Sequence, residues 1–185
     1  MEQQTLLTRI PIALRALLLG TALVLSMRSP TSLAAPAANV RYVQAEGASG
    51  GACDSWATAC TLQAALSVAV DGDQIWVAAG IHTPTSTSDR TLSFQLKSGV
   101  ALYGGFSGTE TRLDERNPNP ATNGTILSGE IGDDNGADNS YHVVASSGVT
   151  ETAVLDGFTI TAGNADGEPY DDGRGGGMHN DASSP

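Results

Sequence analysis

Aromatic residues are scarce: two Trp, four Tyr and three Phe, 5% of 185 residues. Basic residues are scarcer still against acidic ones, nine Lys and Arg facing twenty Asp and Glu, a net charge of −11. That balance repels nucleic acid and anionic lipid surfaces, so no nucleic-acid partner is expected. Cysteine is limited to Cys53 and Cys60, in CDSWATAC. Two thiols with no nearby His fall short of the four ligands of a structural zinc site. Beyond residue 35 no apolar run is long enough to cross a membrane as a helix. Glycine is abundant, 22 residues, but without a Gly-X-Y period, which excludes collagen. Helical patterns do not alternate with the strands, which argues against a doubly wound α/β domain. The length suits one domain, and 40% apolar residues can supply its core.

The first 35 residues have the organisation of a secretory leader. Arg9 and Arg15 precede the apolar run Ala16–Met27, and small residues at Ser32 and Ala34 suit a cleavage site near Ala34 or Ala35. A signal peptide over 1–35 implies a secreted or cell-surface protein. Without Arg9, Arg15, Arg28 and Glu2, six basic residues face nineteen acidic ones, near −13. In an exported chain the favoured reading of Cys53 and Cys60 is a disulfide, with a free pair as the alternative.

What remains is rich in short strand candidates ending on Gly, Asn or Asp. They are Ile75–Ala78, Phe94–Leu96, Val100–Tyr103, Thr125–Leu127, His142–Ala145, Ala153–Leu155 and Phe158–Thr161. Similar phrases recur every 15 to 25 residues, the spacing of a solenoid. A β-sandwich is the structural rival. Alternation places Ile75, Val77, Val100, Leu102, Ile126, Val143, Phe158 and Ile160 inward. One helix is predicted over about 61–71: Leu62, Ala65, Leu66 and Ala69 form one apolar stripe, Thr61 is the N-cap, and Asp71-Gly72 ends it. Placed ahead of the first strand, it would cover the end of a solenoid.

The phrases CDSWATACTLQAALSVAVDGDQIWVAAGIHTP, FQLKSGVALYGGFSGTET, TILSGEIG, NSYHVV, AVLDGFTITAGNADG and RGGGMHND together resemble a family of exported bacterial right-handed parallel β-helix proteins. That family is pectate-lyase-like, and some members are adhesin-like or resemble polymorphic outer-membrane proteins. The resemblance runs from about Val40 to the end. It implies an all-β, right-handed parallel β-helix with three strands per coil and a short N-terminal capping α-helix, within 36–185 and with coils from about 74 onward. It also implies a chain cut short, since GGGMHND is followed in the family by further coils. An outer-membrane or cell-surface location belongs to the same expectation.

Sites of chemistry are thin. His82, His142 and His179 lie in different phrases with no G-x-S-x-G nucleophile turn, and structural or surface roles are expected for them. Two acidic loops stand out: Glu130, Asp133, Asp134, Asn135, Asp138 and Asn139, then Asn164, Asp166, Glu168, Asp171 and Asp172. Crowded oxygens suit Ca²⁺, yet neither loop has the EF-hand or the nonapeptide spacing. Solvated turns are the other reading. Arg174 beside Asp171 and Asp172 is the one group resembling a lyase or glycosidase site. No catalytic or cofactor residue is assigned, and Cys53 and Cys60 are the only site residues. The expected function is binding or structural and adhesin-like, toward an extracellular glycan or cell-surface ligand. A polysaccharide lyase or glycoside hydrolase with its site elsewhere is the alternative.

Overall fold

The structure, a computed structural model, describes residues 38–133, 136–167 and 172–185. The expected leader 1–35 lies outside the described residues. The chain forms β1 (Val40–Ala48), α1 (Leu62–Val68), β2 (Gln74–Ala78), β3 (Gly80–His82), β4 (Phe94–Gln95) and β5 (Ala101–Phe106). There follow α2 (Pro120–Asn123), β6 (Thr125–Ser128), β7 (Val144–Ser147), β8 (Val154–Asp156), β9 (Thr159–Thr161) and β10 (Met178–Asp181). The first sheet has the order β1-β2-β5-β8, the second β3-β6-β9 and the third β10-β7-β4. Every strand pairing is parallel.

The fold expectation is corrected by this topology. Among the described residues there are three small parallel sheets, ten strands in all, with two α-helices, an α/β-like arrangement. The all-β right-handed parallel β-helix solenoid with its N-terminal capping helix is not shown. Recurring apolar phrases establish short strands that pair across long sequence separations. They do not establish the path or hand of the connections between them. Two further elements shift the picture. β1 precedes α1, so the helix does not stand ahead of the first strand, and α2 is a second helix. That short turn follows from Pro120 at its start, the Asn119 side chain accepting the Ala121 amide, and Gly124 closing it at φ 69°.

α1 forms for the reasons its pattern suggests. The Thr61 hydroxyl accepts the Ala64 amide, and Leu62, Ala65, Leu66 and Ala69 are all buried. It ends at Val68, earlier than Asp71-Gly72. The Val70 amide donates to the Asp73 carboxylate at 3.2 Å and so leaves the helical ladder. Asp73 is only 2% exposed and also accepts from Arg41 at 3.1 Å and from Asn39. Burial alone would raise its pKa, but the Val70 amide, Arg41 and Asn39 outweigh that and hold it below the usual carboxylate value.

The core lies between the sheets and α1. Ile75, Val77, Val100, Leu102 and Val143 are buried as their alternation requires, joined by Phe94, Leu127 and Val144. Phe158 and Ile160 are half-buried and pack on this core. Ile126 is a correction: it faces outward beside Ile81, while Thr125 and Leu127 are fully buried. Thr125 is tolerated inside because its hydroxyl accepts the Gly105 amide at 2.9 Å. One glycine contact is obligatory for the first sheet. A Cβ on Gly104 would strike the Gly157 carbonyl, and Gly157 itself sits at φ 83°.

Candidate functional site

Most of the chain's scarce aromatics gather on one surface. On the first sheet Tyr42 is in register with Trp76, Trp76 with Tyr103, and Tyr103 with Asp156, so these four side chains share a face. Phe106 stacks on Trp76 with centroids 4.7 Å apart and planes 10° apart. Tyr42 sits edge-on to both Trp76 and Trp56, at 5.7 and 4.8 Å. Trp56 comes from the 3₁₀ turn Trp56–Thr58, inside the loop closed by the Cys53–Cys60 disulfide. The disulfide thereby holds an aromatic side chain against the sheet.

A loop over 107–118 forms the opposite wall, and its carboxylates organise it. Glu110 accepts the Ser107 amide and hydroxyl on one oxygen, at 2.7 and 2.8 Å. Its other oxygen accepts the Gly108 and Thr109 amides, each at 3.0 Å. Burial would raise the Glu110 pKa, but these donors prevail and hold it at about 2. The Trp56 indole donates to the Glu110 carbonyl at 2.8 Å, tying loop to platform. Glu115 accepts the Thr111 and Arg112 amides at 2.8 and 3.1 Å. Arg116 lies over the Tyr103 ring at 5.1 Å, donates to the Gly104 carbonyl at 2.9 Å, and pairs with Asp156.

Between sheet and loop lies an open groove of about 800 Å³. Val40 and Trp76 give its sheet side an apolar floor, and Leu113 and Pro118 add apolar surface from the loop. Gln74, Arg112, Asp114 and Arg116 supply the polar groups. Gln74 is oriented by its bond from the Trp76 indole, at 2.9 Å. Arg112 and Asp114 pair with each other while both remain about two-thirds exposed. The groove therefore offers hydrogen-bond donors and acceptors beside apolar surface from Val40, Leu113 and Pro118, while Trp76 itself is only 4% exposed. None of its residues stands out in the sequence as a candidate site. The available signal was the period-2 placing of Tyr42, Trp76 and Tyr103 on neighbouring strands, which needs the register to be seen.

The residues that the sequence did single out are dispersed elsewhere. Cys53 and Cys60 are bonded. His82 is buried with Nε2 3.0 Å from the Ala78 carbonyl; burial lowers its pKa and the carbonyl only partly offsets that. His142 and His179 come together, stacked at 4.6 Å, with Asp172 3.9 Å from His142. Arg174 is exposed, and Asp172 is placed toward His142 rather than in an ion pair with it. The two acidic loops are joined by Arg90, which donates to the Asn139 and Asn164 carbonyls at 2.7 and 3.0 Å and to Asp166 at 2.5 Å. Asp134, Asn135, Glu168 and Asp171 lie outside the described residues. Among the described residues no three His, Cys, Asp or Glu side chains gather as a metal site. No helix among them is long and apolar enough to cross a membrane.

Comparison with protein-family models, with curated proteins and with solved structures finds no match for this chain, so no family is recognised.

Proposed function

We propose that the chain is an exported binding protein whose groove beside the first sheet takes a neutral oligosaccharide. The observation that carries this reading is the groove itself. Apolar surface from Val40, Leu113 and Pro118 is flanked by Gln74 and by the exposed Arg112–Asp114 pair. The apolar face of a pyranose suits such a surface, and its vicinal hydroxyls need donors and acceptors side by side. The volume lies in the range of small-molecule sites. The net charge of −11 disfavours polyanionic glycans. The disulfide supports folding in an oxidising compartment, consistent with secretion or surface display. A lyase or glycosidase reading gains less here. Asp114 is the single carboxylate lining the groove, and it is already paired with Arg112.

Titration with cellotetraose and with tetragalacturonate, followed by tryptophan fluorescence, tests the proposal. The neutral sugar should change the emission saturably, with the acidic one weaker. Gln74→Ala with Arg112→Ala should weaken binding about 5- to 50-fold, as for one or two lost hydrogen bonds. No saturable change with either sugar, or unchanged affinity in the double variant, would remove the groove as the site.

A further inference from the structure

Twenty acidic and nine basic residues distribute charge along this chain. A second cleft, of about 530 Å³, carries none of it: among the described residues that line it there is no Asp, Glu, Lys or Arg. β1, α1, β3 and the loop over 83–92 each contribute to its walls. Ile81 is 62% and Leu92 38% exposed, two of the four large apolar side chains left exposed among the described residues. Both line this cleft.

One buried side chain turns a polar atom into it. The chain bends between β2 and β3 at Gly80, φ 144°, and His82 comes back onto the end of β2. The residue is 4% exposed, with Nε2 3.0 Å from the Ala78 carbonyl. A carbonyl can only accept, so Nε2 carries the proton and donates it. Burial lowers the His82 pKa, so the ring stays neutral at pH 7. Nδ1 is then a lone-pair acceptor. It finds no partner among the described residues and is not one of the enclosed unpartnered atoms, so it opens on the cleft that His82 lines. The loop wall is preformed. Thr85 Oγ1 accepts the Thr87 amide at 3.0 Å, and Asp89 accepts the Thr91 amide and hydroxyl at 3.0 and 2.6 Å. These bonds brace the segment that presents Leu92.

We infer that this cleft is a second binding site, for an uncharged, largely apolar molecule that carries a hydroxyl or N–H donor. The apolar body lies against Ile81 and Leu92, and the donor reaches His82 Nδ1. A charged ligand would give up hydration with no counter-charge in the lining to replace it. An apolar ligand without a donor would displace water from Nδ1 and leave a buried acceptor unpaired. A phenol meets both demands. The volume is in the range of small-molecule sites. The inference is independent of the groove beside the first sheet and of what that groove binds.

The test titrates the full chain against 2-naphthol, against its methyl ether, which lacks the donor, and against 2-naphthoate, which is charged. The ligand's own fluorescence at pH 7 reports binding. 2-Naphthol should bind saturably, the ether about 2- to 10-fold more weakly, as for one lost hydrogen bond, and 2-naphthoate more weakly than 2-naphthol. His82→Gln keeps a donor for the Ala78 carbonyl and removes the acceptor in the cleft, so it should abolish the preference of 2-naphthol over the ether. Ile81→Ser should weaken both neutral ligands at least threefold through lost apolar contact. Because Ile81 is exposed, that variant decides the question if His82→Gln fails to fold. No saturable signal with 2-naphthol would overturn the inference. So would an undiminished preference in folded His82→Gln, or wild-type affinity in Ile81→Ser.

Discussion

Glu110 illustrates how one side chain organises a wall of the groove. Four donors surround its carboxylate, and its pKa of about 2 is the physical record of them. Because the folded value lies below the ordinary one, the charged form stabilises the folded state. That stabilisation is complete above the ordinary carboxylate range and is lost as pH falls through it toward about 2. Solvent reaches the loop, so the contribution is about 1–2 kcal/mol rather than the full linkage value. Asp73, shifted in the same direction, adds to the loss at low pH. Glu110→Gln should therefore be less stable than wild type at pH 7 and approach it near pH 2, measured by urea unfolding across that range. A constant difference between the two proteins at every pH would show that the donors do not act on the charge.

At the scale of elements, the second sheet tests which face its strands bury. Leu127 is fully buried while Ile126 faces outward in register with Ile81, itself 62% exposed. Leu127→Ala should cost about 2–5 kcal/mol and Ile126→Ala less than about 1 kcal/mol, by chemical denaturation. Alternation alone could not choose between Thr125/Leu127 and Ile126. Hydrophobicity favours Ile126, and the decision rests on a Gly105 amide that Thr125 satisfies from another strand. The strand positions of β2, β5, β6, β8 and β9 were legible, because Gly, Asn and Asp bound them closely. β1 was not, because RYVQAE mixes polar and apolar residues on a strand whose outer face is itself covered by Trp56 and Trp76. The groove was illegible for the same reason. Tyr42, Trp76 and Tyr103 are each about 30 residues apart and meet only through parallel register. The disulfide was legible, but its mechanical role was not. Cys53→Ser with Cys60→Ser should cost about 2 kcal/mol for so short a loop. It should also loosen Trp56 from the Glu110 carbonyl, which tryptophan emission and unfolding midpoint can follow together.

For the whole molecule, stability should follow the order of strands within each sheet. β2 and β5 lie inside the first sheet, β6 inside the second and β7 inside the third. They carry the fully buried Ile75, Val77, Leu102, Leu127 and Val144. β8, β9 and β10 each stand at a sheet edge, with Val154, Leu155, Ile160 and Met178 only half-buried. An edge strand has hydrogen-bonded neighbours on one side alone, and half-buried side chains add little to hold it, so it opens at lower free energy than the strands within. Hydrogen exchange monitored by mass spectrometry should therefore show β8 to β10 exchanging well before β2, β5 and β6. β1 is the informative exception. It too is an edge strand, yet Asp73 anchors its start through Arg41, and Trp56 covers Tyr42. Its amides should exchange more slowly than those of β8, and Asp73→Asn should bring the two rates together. Equal protection of β1 and β8 in the wild-type chain would mean that edge position alone sets local stability and that the Asp73 cluster adds nothing to it.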